Sequence, residues 1–190
     1  MIIELDNFVS PDIVNYLSGK LRESKSIYGE ANEYHRQGVT VTISKIPELA
    51  EVNNQLSKIF GKIKQTVREY YRPSYSGNSD TGYEYHLYEP GDVCELHSDS
   101  EIVAGVNELR YASVVLHLST INNGGELVFP AQNQTVTTRA GKVVIFPPYG
   151  MFSHYTTPST EAREVIVSWL TYDGVGIVKK GINITSNQGL

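Results

Sequence analysis

The chain has 190 residues, enough for one domain with a substantial core but cramped for a second independent one. Its formal charge of -5 and the absence of a dense Lys/Arg run argue against affinity gained by neutralising nucleic-acid phosphates. A single cysteine excludes an intrachain disulfide and suits a reducing compartment, and no apolar run reaches membrane-spanning length. The acidic N-terminus lacks the basic and apolar segments of a signal peptide. We expect a cytoplasmic protein that forms one domain over residues 1–190.

Two helices are predicted in the first part of the chain. The segment SPDIVNYLSGKLRES offers Ser10 as N-cap, Pro11 at the first helical position, and an apolar face of Ile13, Leu17 and Leu21. A second helix is predicted to follow the proline at position 47 and to end near residue 70, with an apolar stripe of Leu49, Val52, Leu56, Ile59, Ile63 and Val67. The segment between them, GVTVTIS, is a short strand candidate. We expect residues 1–71 to be mostly helical support.

The second part of the chain has the texture of a β protein. After a turn-rich connector at 72–82, short apolar runs alternate with Gly, Pro and Asn from residue 83 onward. The predicted strands are YEYHLYE, RYASVVLHLS, GELVFP, QTVTT, KVVIFPP and REVIVSWLTY. Short strands at such spacing are typical of a sandwich or barrel. We expect a β core over 83–172 and a Gly-rich C-terminal appendage over 173–190.

A pair of polar residues in CELHSDSE raises the question of a metal site. His97 and Asp99 lie one residue apart, so an extended backbone would point both side chains to the same face. Two imidazoles and one carboxylate on one side of an octahedron are the ligands of non-haem Fe(II) oxygenases. An isolated H-x-D pair is weak evidence, and ordinary polar residues at the end of a surface strand are the alternative.

Four other histidines are available as a further ligand. His35 lies in the polar stretch NEYHRQ and is expected in solvent, and His117 in SVVLHLS is expected to be a hydrogen-bonded core residue. His86 shares a strand face with Tyr88, and we expect it to be structural although it can lie near a site. His154 differs from these, because it follows one apolar strand and precedes another.

An arginine begins the last predicted strand. Arg163 shares a face with apolar residues of REVIVSWLTY, and burying a guanidinium there is costly unless an anion meets it. The alternative is an arginine at the strand end that pairs with Glu161 or Glu164 in solvent.

The order of four segments resembles a known family. The segments YEPGDVCELHSD, NNGGELVFP, AGKVVIFPP and SHYTTPSTEAREVIVSWL resemble the prolyl 4-hydroxylase-like branch of the Fe(II)/2-oxoglutarate-dependent dioxygenases, over residues 83–172. The opening NFVSPDIVNYL also resembles the N-terminal helix of that family. The resemblance implies an α+β fold, mainly β with N-terminal helices, around a double-stranded β-helix core of the jelly-roll or cupin-like type.

The resemblance also implies roles for individual residues. His97, Asp99 and His154 match the iron triad. Arg163 matches the basic residue that pairs with the distal carboxylate of 2-oxoglutarate, for which a planar guanidinium is well suited. Tyr88 matches a tyrosine that faces the co-substrate and whose hydroxyl can donate to the same carboxylate.

The implied reaction is the hydroxylation of an unactivated C–H bond with Fe(II), 2-oxoglutarate and O2, with ascorbate as reductant and succinate and CO2 as products. A prolyl residue of a peptide or protein is the expected substrate, and a free amino acid or other small molecule is the alternative. Arg110 and Trp169 match positions that line the substrate side, whereas Thr171 and Leu127 depart from a family His and Thr. Segments 72–82 and 100–109 are candidate lids.

Two rival functions were weighed against this one. The sequence HSDSE resembles the opening motif of AlkB-type nucleic-acid demethylases, but the second arginine of that family is replaced here by Trp169, and the acidic charge also disfavours nucleic acid. A cupin-type module that binds a metal or ligand without turnover would not need a basic co-substrate anchor. Arg163 is therefore the residue that discriminates between the last rival and an enzyme.

Overall fold

The computed structural model of the chain describes residues 1–25, 36–71, 79–100 and 110–172. Two helices and ten strands occur within these ranges. The helices are α1 (Pro11–Glu23) and α2 (Ala50–Tyr71). The strands are β1 (Ile3–Leu5), β2 (Val39–Thr42), β3 (Ser79–Asp80), β4 (Glu84–Tyr88), β5 (Arg110–His117), β6 (Leu127–Phe129), β7 (Gln134–Val136), β8 (Val143–Phe146), β9 (Tyr155–Thr156) and β10 (Arg163–Thr171).

Both predicted helices are present, and each buries one apolar face. Helix α1 follows Ser10 at the N-cap, although the Ser10 side chain makes no capping hydrogen bond, and it buries Val14, Leu17 and Leu21, while Ile13 is only partly buried. Helix α2 buries a stripe of Val52, Leu56, Ile59, Phe60, Ile63 and Val67. The spacing of three and four residues places each set on one side of its helix.

The described strands form two antiparallel sheets. The larger sheet has the order β1-β8-β5-β10-β4-β2, and β3 pairs with the end of β10. The smaller sheet has the order β7-β6-β9. Strands β1 and β2 belong to the larger sheet, so the first 71 residues contribute two strands as well as helices. The longest strands, β5 and β10, lie beside each other at the centre.

The two faces of the larger sheet bury different groups because side chains alternate along a strand. One face packs against α1 and α2, where Leu116 of β5 and Ile166 of β10 join the helical residues. The opposite face packs against the smaller sheet, where Val115 and Val165 meet Phe129 of β6. The larger sheet is therefore the middle layer between helices and a second sheet, and this second face carries the candidate site.

Two glycines of the segment NNGGE, Gly124 and Gly125, lie in the turn that brings the smaller sheet against the larger one. Gly124 has φ of +78°, and a Cβ there would lie 2.0 Å from the carbonyl oxygen of Pro158. Gly125 has φ of +71°. Glycine adopts this backbone without steric cost, whereas other residues would also meet the neighbouring main chain.

The six predicted strands of the second half are all confirmed, with β1, β3 and β9 as additional short strands. No described helix is both long and apolar enough to cross a bilayer. The predicted appendage at 173–190 and most of the candidate lids at 72–82 and 100–109 lie outside the described residues.

A buried carboxylate joins helix α1 to the central strand. Glu164, on the helix-facing side of β10, is fully buried. Its carboxylate accepts hydrogen bonds from Ser18 and Arg22 of α1 and from the hydroxyl of Tyr85 at 2.9 Å. Arg163 precedes Glu164 and lies on the opposite face of β10. The contacts of Glu164 with α1 and Tyr85 therefore also hold the strand that carries Arg163.

We expect Glu164→Ala to lower the free energy of unfolding by about 2 kcal/mol, because the hydrogen bonds that this buried carboxylate accepts from Ser18, Arg22 and Tyr85 would be lost. Urea denaturation measures the change, with the exposed Glu69→Ala on α2 as a matched control that should shift stability by less than about 0.5 kcal/mol. Equal stability of the two variants would show that the junction does not stabilise the fold.

Candidate metal and co-substrate site

A cavity of about 410 Å³, measured out to open solvent, lies between the two sheets. Its wall combines apolar side chains of the larger sheet, such as Val115 and Val167, with polar groups from several segments. The polar groups include His97 and Asp99, together with His154, which is distant from them in sequence. The chain therefore brings the predicted triad together in one cavity.

Backbone pairing holds the two histidines side by side. The N–H of His97 donates to the carbonyl of His154 at 3.0 Å, and the N–H of His154 donates back at 2.9 Å. The two residues form an isolated antiparallel bridge that lies outside the strands named above. The ring centroids of the two imidazoles are 4.3 Å apart.

The three side chains form one cluster of potential ligand atoms. One atom from each of His97, Asp99 and His154 lies within 4.8 Å of the others. The Asp99 Oδ1 atom is 3.5 Å from Nε2 of His97 and 3.9 Å from Nε2 of His154. Two imidazole nitrogens and a carboxylate at such separations can hold one divalent transition metal and leave other positions open.

The orientation of both imidazoles suits metal binding. Nδ1 of His97 lies 2.8 Å from the carbonyl of Glu95, and Nδ1 of His154 lies 3.1 Å from the carbonyl of Phe152. A carbonyl only accepts, so each Nδ1 carries a proton, and each Nε2 is the ring nitrogen that remains for a metal. The rings of Phe129 and Phe146 pack on His154 and fix its plane.

The electrostatics of the cluster favour an ionised carboxylate. Burial alone would raise the pKa of Asp99, but its contacts with His97 and His154 hold that pKa well below the usual range. Asp99 is 8% exposed, and its own carbonyl oxygen accepts a hydrogen bond from Arg110 at 3.0 Å. Burial alone would lower the pKa of His97, but its contacts with Asp99 and Cys94 raise that pKa to about 10, so a metal must displace a proton from this ring beside the negative oxygen.

Arg163 is a buried cation on the cavity wall. It is 4% exposed, and its Cζ atom lies 4.1 Å from the ring centroid of Tyr88, which is its partner across β10 and β4. Burial lowers its pKa, but a guanidinium remains charged, and burial raises the pKa of Tyr88 to about 12, so the phenol keeps its proton. Within the described ranges no carboxylate forms an ion pair with Arg163.

The alternative that Arg163 pairs in solvent with a neighbouring glutamate is wrong. Glu164 is directed to the opposite face of β10, where it binds α1, because adjacent residues of a strand alternate. Glu161 instead accepts a hydrogen bond from the backbone N–H of Asn122.

Arg110 and Trp169 pack against each other near Asp99. The Cζ atom of Arg110 is 4.0 Å from the ring centroid of Trp169, which is a cation–π contact. Trp169 lines the cavity, and its indole N–H has no hydrogen-bond partner among the described residues. Arg110 therefore links the Asp99 backbone to Trp169, whose indole N–H is available to donate to a ligand.

The remaining histidines divide between confirmed and corrected expectations. His86, for which a structural role is expected, lines the cavity, and burial together with the Arg36 cation lowers its pKa to about 4. His117 is fully buried as expected, but neither ring nitrogen has a hydrogen-bond partner within the part of the chain described. Burial and the nearby Arg163 lower the His117 pKa to about 3. His35 lies outside the described residues.

Sequence reasoning missed Arg36 and gave no role to Cys94. Arg36 is 9% exposed and lines the cavity, and it pairs through its backbone with Cys94. The buried Cys94 thiol lies 3.6 Å from Nδ1 of His97. The segment NEYHRQ is polar throughout, so nothing in its pattern distinguishes a buried arginine from an exposed one.

Comparisons with known proteins agree with this geometry. The model of the 2OG-Fe(II) oxygenase superfamily matches residues 83–171, which contain every residue of the predicted triad and co-substrate anchor. No curated protein sequence matches the chain.

Similar solved structures are prolyl hydroxylases. A viral collagen prolyl hydroxylase from Paramecium bursaria Chlorella virus-1, in complex with 2OG, has a TM-score of 0.69 at 16% identity, covering 90% of this chain and 96% of that one. A prolyl-4-hydroxylase from Pseudomonas putida has a TM-score of 0.68 at 19% identity, with coverages of 91% and 93%. A Trichoplax adhaerens prolyl hydroxylase, bound to a hypoxia inducible factor peptide fragment, has a TM-score of 0.72 at 16% identity, with coverages of 90% and 83%.

These likenesses confirm the mostly β fold with its helices and confirm, at the level of the fold, the resemblance to the prolyl 4-hydroxylase-like branch. The expectation of an Fe(II)- and 2-oxoglutarate-dependent oxygenase is confirmed at the level of the family. The match over residues 83–171 and the likeness to prolyl hydroxylase structures together support the 2OG-Fe(II) oxygenase superfamily as the family of this chain.

Proposed function

We propose that this protein is a dioxygenase that hydroxylates an unactivated C–H bond of a prolyl residue in a peptide or protein. The observation that supports this most is the juxtaposition of a His-Asp-His cluster and a buried arginine that has no carboxylate partner in the described ranges. A module that only binds a metal has no use for such a costly cation. The AlkB-type alternative lacks support, since Trp169 stands where that family has its second arginine.

The residues present fit both iron and 2-oxoglutarate. The cluster offers the nitrogen and oxygen donors of a facial triad, with each Nδ1 proton held by a backbone carbonyl. Arg163 offers a planar fork for a carboxylate, and the protonated Tyr88 hydroxyl offers a further donor. The bound iron, with 2-oxoglutarate and O2, would supply the oxidising power for C–H hydroxylation with release of succinate and CO2.

The chain's own residues would bind the metal and the co-substrate, orient them, and shield them from water. His97, Asp99 and His154 would hold the metal, and Arg163 with Tyr88 would hold the distal carboxylate of the co-substrate. Apolar side chains of β5 and β10 line the space between these two groups and limit access of water and stray reductants. Ascorbate is proposed as the reductant that restores the metal after turnover without substrate.

We further propose that the two sheets form a double-stranded β-helix and that residues 1–190 are one catalytic domain. The smaller sheet covers the cavity-facing side of the larger one, and the bridge between His97 and His154 joins two segments across the site. The helices, which pack on the opposite face, support the strand that carries Arg163.

The substrate is proposed to bind beside the stacked side chains of Arg110 and Trp169. Trp169 lines the cavity, Arg110 contacts both Trp169 and the Asp99 carbonyl, and the indole N–H can donate to a carbonyl. Two of the similar structures are described as a collagen prolyl hydroxylase and as a complex with a peptide fragment, which supports a peptide substrate. A free amino acid or other small molecule is the second candidate.

Succinate formation with Fe(II), 2-oxoglutarate and ascorbate tests the proposal, and proline-rich peptides should stimulate it and gain 16 Da by mass spectrometry, the mass of one oxygen atom. We expect Trp169→Phe to weaken peptide-stimulated turnover by about 10-fold through loss of the indole N–H, while peptide-free turnover is unchanged. Absence of both succinate and 2-oxoglutarate-dependent thermal stabilisation would favour a module that only binds a metal.

A further inference from the structure

A buried hydroxyl on the cavity-facing side of β5 has no role in the chemistry proposed above. Ser113 is fully buried, and it shares a face of β5 with Val115, which lines the cavity. Its hydroxyl oxygen has no hydrogen-bond partner among the described residues. A buried donor without an acceptor destabilises the fold, so a gain elsewhere has to offset it.

The neighbours of Ser113 in the sheet are side chains that border the metal cluster. On one side its partner is Trp169 of β10, whose backbone forms hydrogen bonds with Thr81 instead. Ser113 and Trp169 are therefore a non-hydrogen-bonded pair, in which facing side chains lie closest. On the other side its partner is Phe146 of β8, whose ring centroid lies 4.7 Å from that of His154.

Asp99 lies over the same part of the sheet. Arg110, at the start of β5, donates to the Asp99 carbonyl at 3.0 Å and stacks on the ring of Trp169. Burial raises the pKa of Asp99, whereas the two imidazoles of the cluster and the Ser113 hydroxyl lower it. Such an effect requires a short distance between hydroxyl and carboxylate, so the two groups are neighbours.

The Asp99 carboxylate has an oxygen to offer this hydroxyl. Its Oδ1 atom faces the imidazoles, at 3.5 Å from Nε2 of His97 and 3.9 Å from Nε2 of His154. A carboxylate that binds a metal through one oxygen leaves the other oxygen for a donor of the protein, and such donors orient the ligand. A hydrogen bond from a hydroxyl to an anionic oxygen is among the stronger ones in proteins.

Under the proposed function, on which this inference rests, we propose that Ser113 is a positioning residue of the metal centre, whose hydroxyl donates to Asp99 and orients its carboxylate. Ser113 would act through Asp99 and would not itself contact the metal or the co-substrate. Once the carboxylate is fixed by the metal, the hydroxyl has an acceptor, which offsets the cost of its burial.

Iron binding to the full chain tests the inference. Fe(II) affinity is measured by calorimetry under anaerobic conditions, without 2-oxoglutarate. We expect Ser113→Ala to weaken Fe(II) binding by about 10- to 100-fold, the usual effect of removing a group that orients a metal ligand. Ser113→Thr keeps the hydroxyl and should restore most of the affinity.

The matched control is Ser168→Ala. Ser168 is also fully buried and its hydroxyl also has no hydrogen-bond partner among the described residues, but it lies on the helix-facing side of β10. Its replacement should leave Fe(II) affinity unchanged.

Two further measurements separate this role from general support of the fold. The urea midpoint of the metal-free protein should be no lower in Ser113→Ala than in the wild type, because the lost hydroxyl makes no hydrogen bond to the described residues. At saturating Fe(II), the affinity for 2-oxoglutarate should also be retained, because Arg163 is unchanged.

Unchanged Fe(II) affinity in Ser113→Ala overturns the inference, as does an equal loss in Ser168→Ala. A lower urea midpoint or weaker 2-oxoglutarate binding in Ser113→Ala also overturns it, because Ser113 would then support the fold or the whole cavity. If the extra methyl group of threonine does not fit, as a lower urea midpoint of Ser113→Thr would show, the two alanine variants decide. Wild-type protein that binds no Fe(II) instead refutes the proposed function, and this inference with it.

Discussion

Replacement of Asp99 by Asn is expected to reduce succinate formation to the level of the metal-free protein. The amide has nearly the shape of the carboxylate, so the packing around it and the hydrogen bond from Arg110 to the Asp99 carbonyl are retained. What is lost is the anionic oxygen that lies 3.5 and 3.9 Å from the two imidazole nitrogens. Hard divalent cations depend on that charge, and neutral oxygens bind them more weakly.

The measurement combines iron binding, followed by calorimetry, with succinate formation at saturating 2-oxoglutarate. The matched control is Asp12→Asn, which changes an exposed carboxylate in the first turn of α1 and should leave both quantities unchanged. Retention of wild-type iron affinity in Asp99→Asn would refute the triad.

Replacement of Arg163 by Met is expected to have opposite effects on stability and on co-substrate binding. The free energy of unfolding of the protein without 2-oxoglutarate should rise by about 1–2 kcal/mol, because the variant no longer buries a guanidinium that lacks an ion-pair partner in the described structure. Loss of the cation–π contact with Tyr88 offsets only part of this gain. The affinity for 2-oxoglutarate should fall by about 2–5 kcal/mol, while iron binding is retained.

Thermal unfolding with and without 2-oxoglutarate, in the presence of Mn(II), separates the two effects. The exposed Arg68→Met on α2 is the control and should respond to 2-oxoglutarate as the wild type does. A variant that is less stable and still stabilised by 2-oxoglutarate would show that Arg163 supports the fold and does not anchor the co-substrate.

The helices and strands could be predicted where apolar residues recur at one spacing over many residues, or where a strand is almost wholly apolar. Helix α2 and the strands β5 and β10 are confirmed because each has many apolar residues at one spacing. Strand β1 was missed because the three residues Ile3–Leu5 are too short to show an alternating apolar pattern. Its place in the sheet depends on pairing with Val143–Ile145, far along the chain.

The candidate site could be predicted in part. His97, Asp99 and His154 were identified through motif order, and the structure brings them together. Arg36 was not identified, because its burial results from backbone pairing with Cys94, which is far along the chain, and from contact with His86 on another strand. Such non-local pairing leaves no periodic signal in the surrounding sequence.

The reciprocal main-chain hydrogen bonds between His97 and His154 have a consequence for metal uptake. Because the backbone already holds two of the three donors side by side, capture of the ion does not require ordering a disordered loop and should lose little conformational entropy. Apoprotein should therefore reload rapidly after treatment with a chelator and keep its secondary structure meanwhile. These main-chain hydrogen bonds do not depend on the side chains that flank the two histidines. The flanking positions can therefore change in sequence without loss of the arrangement that binds the metal.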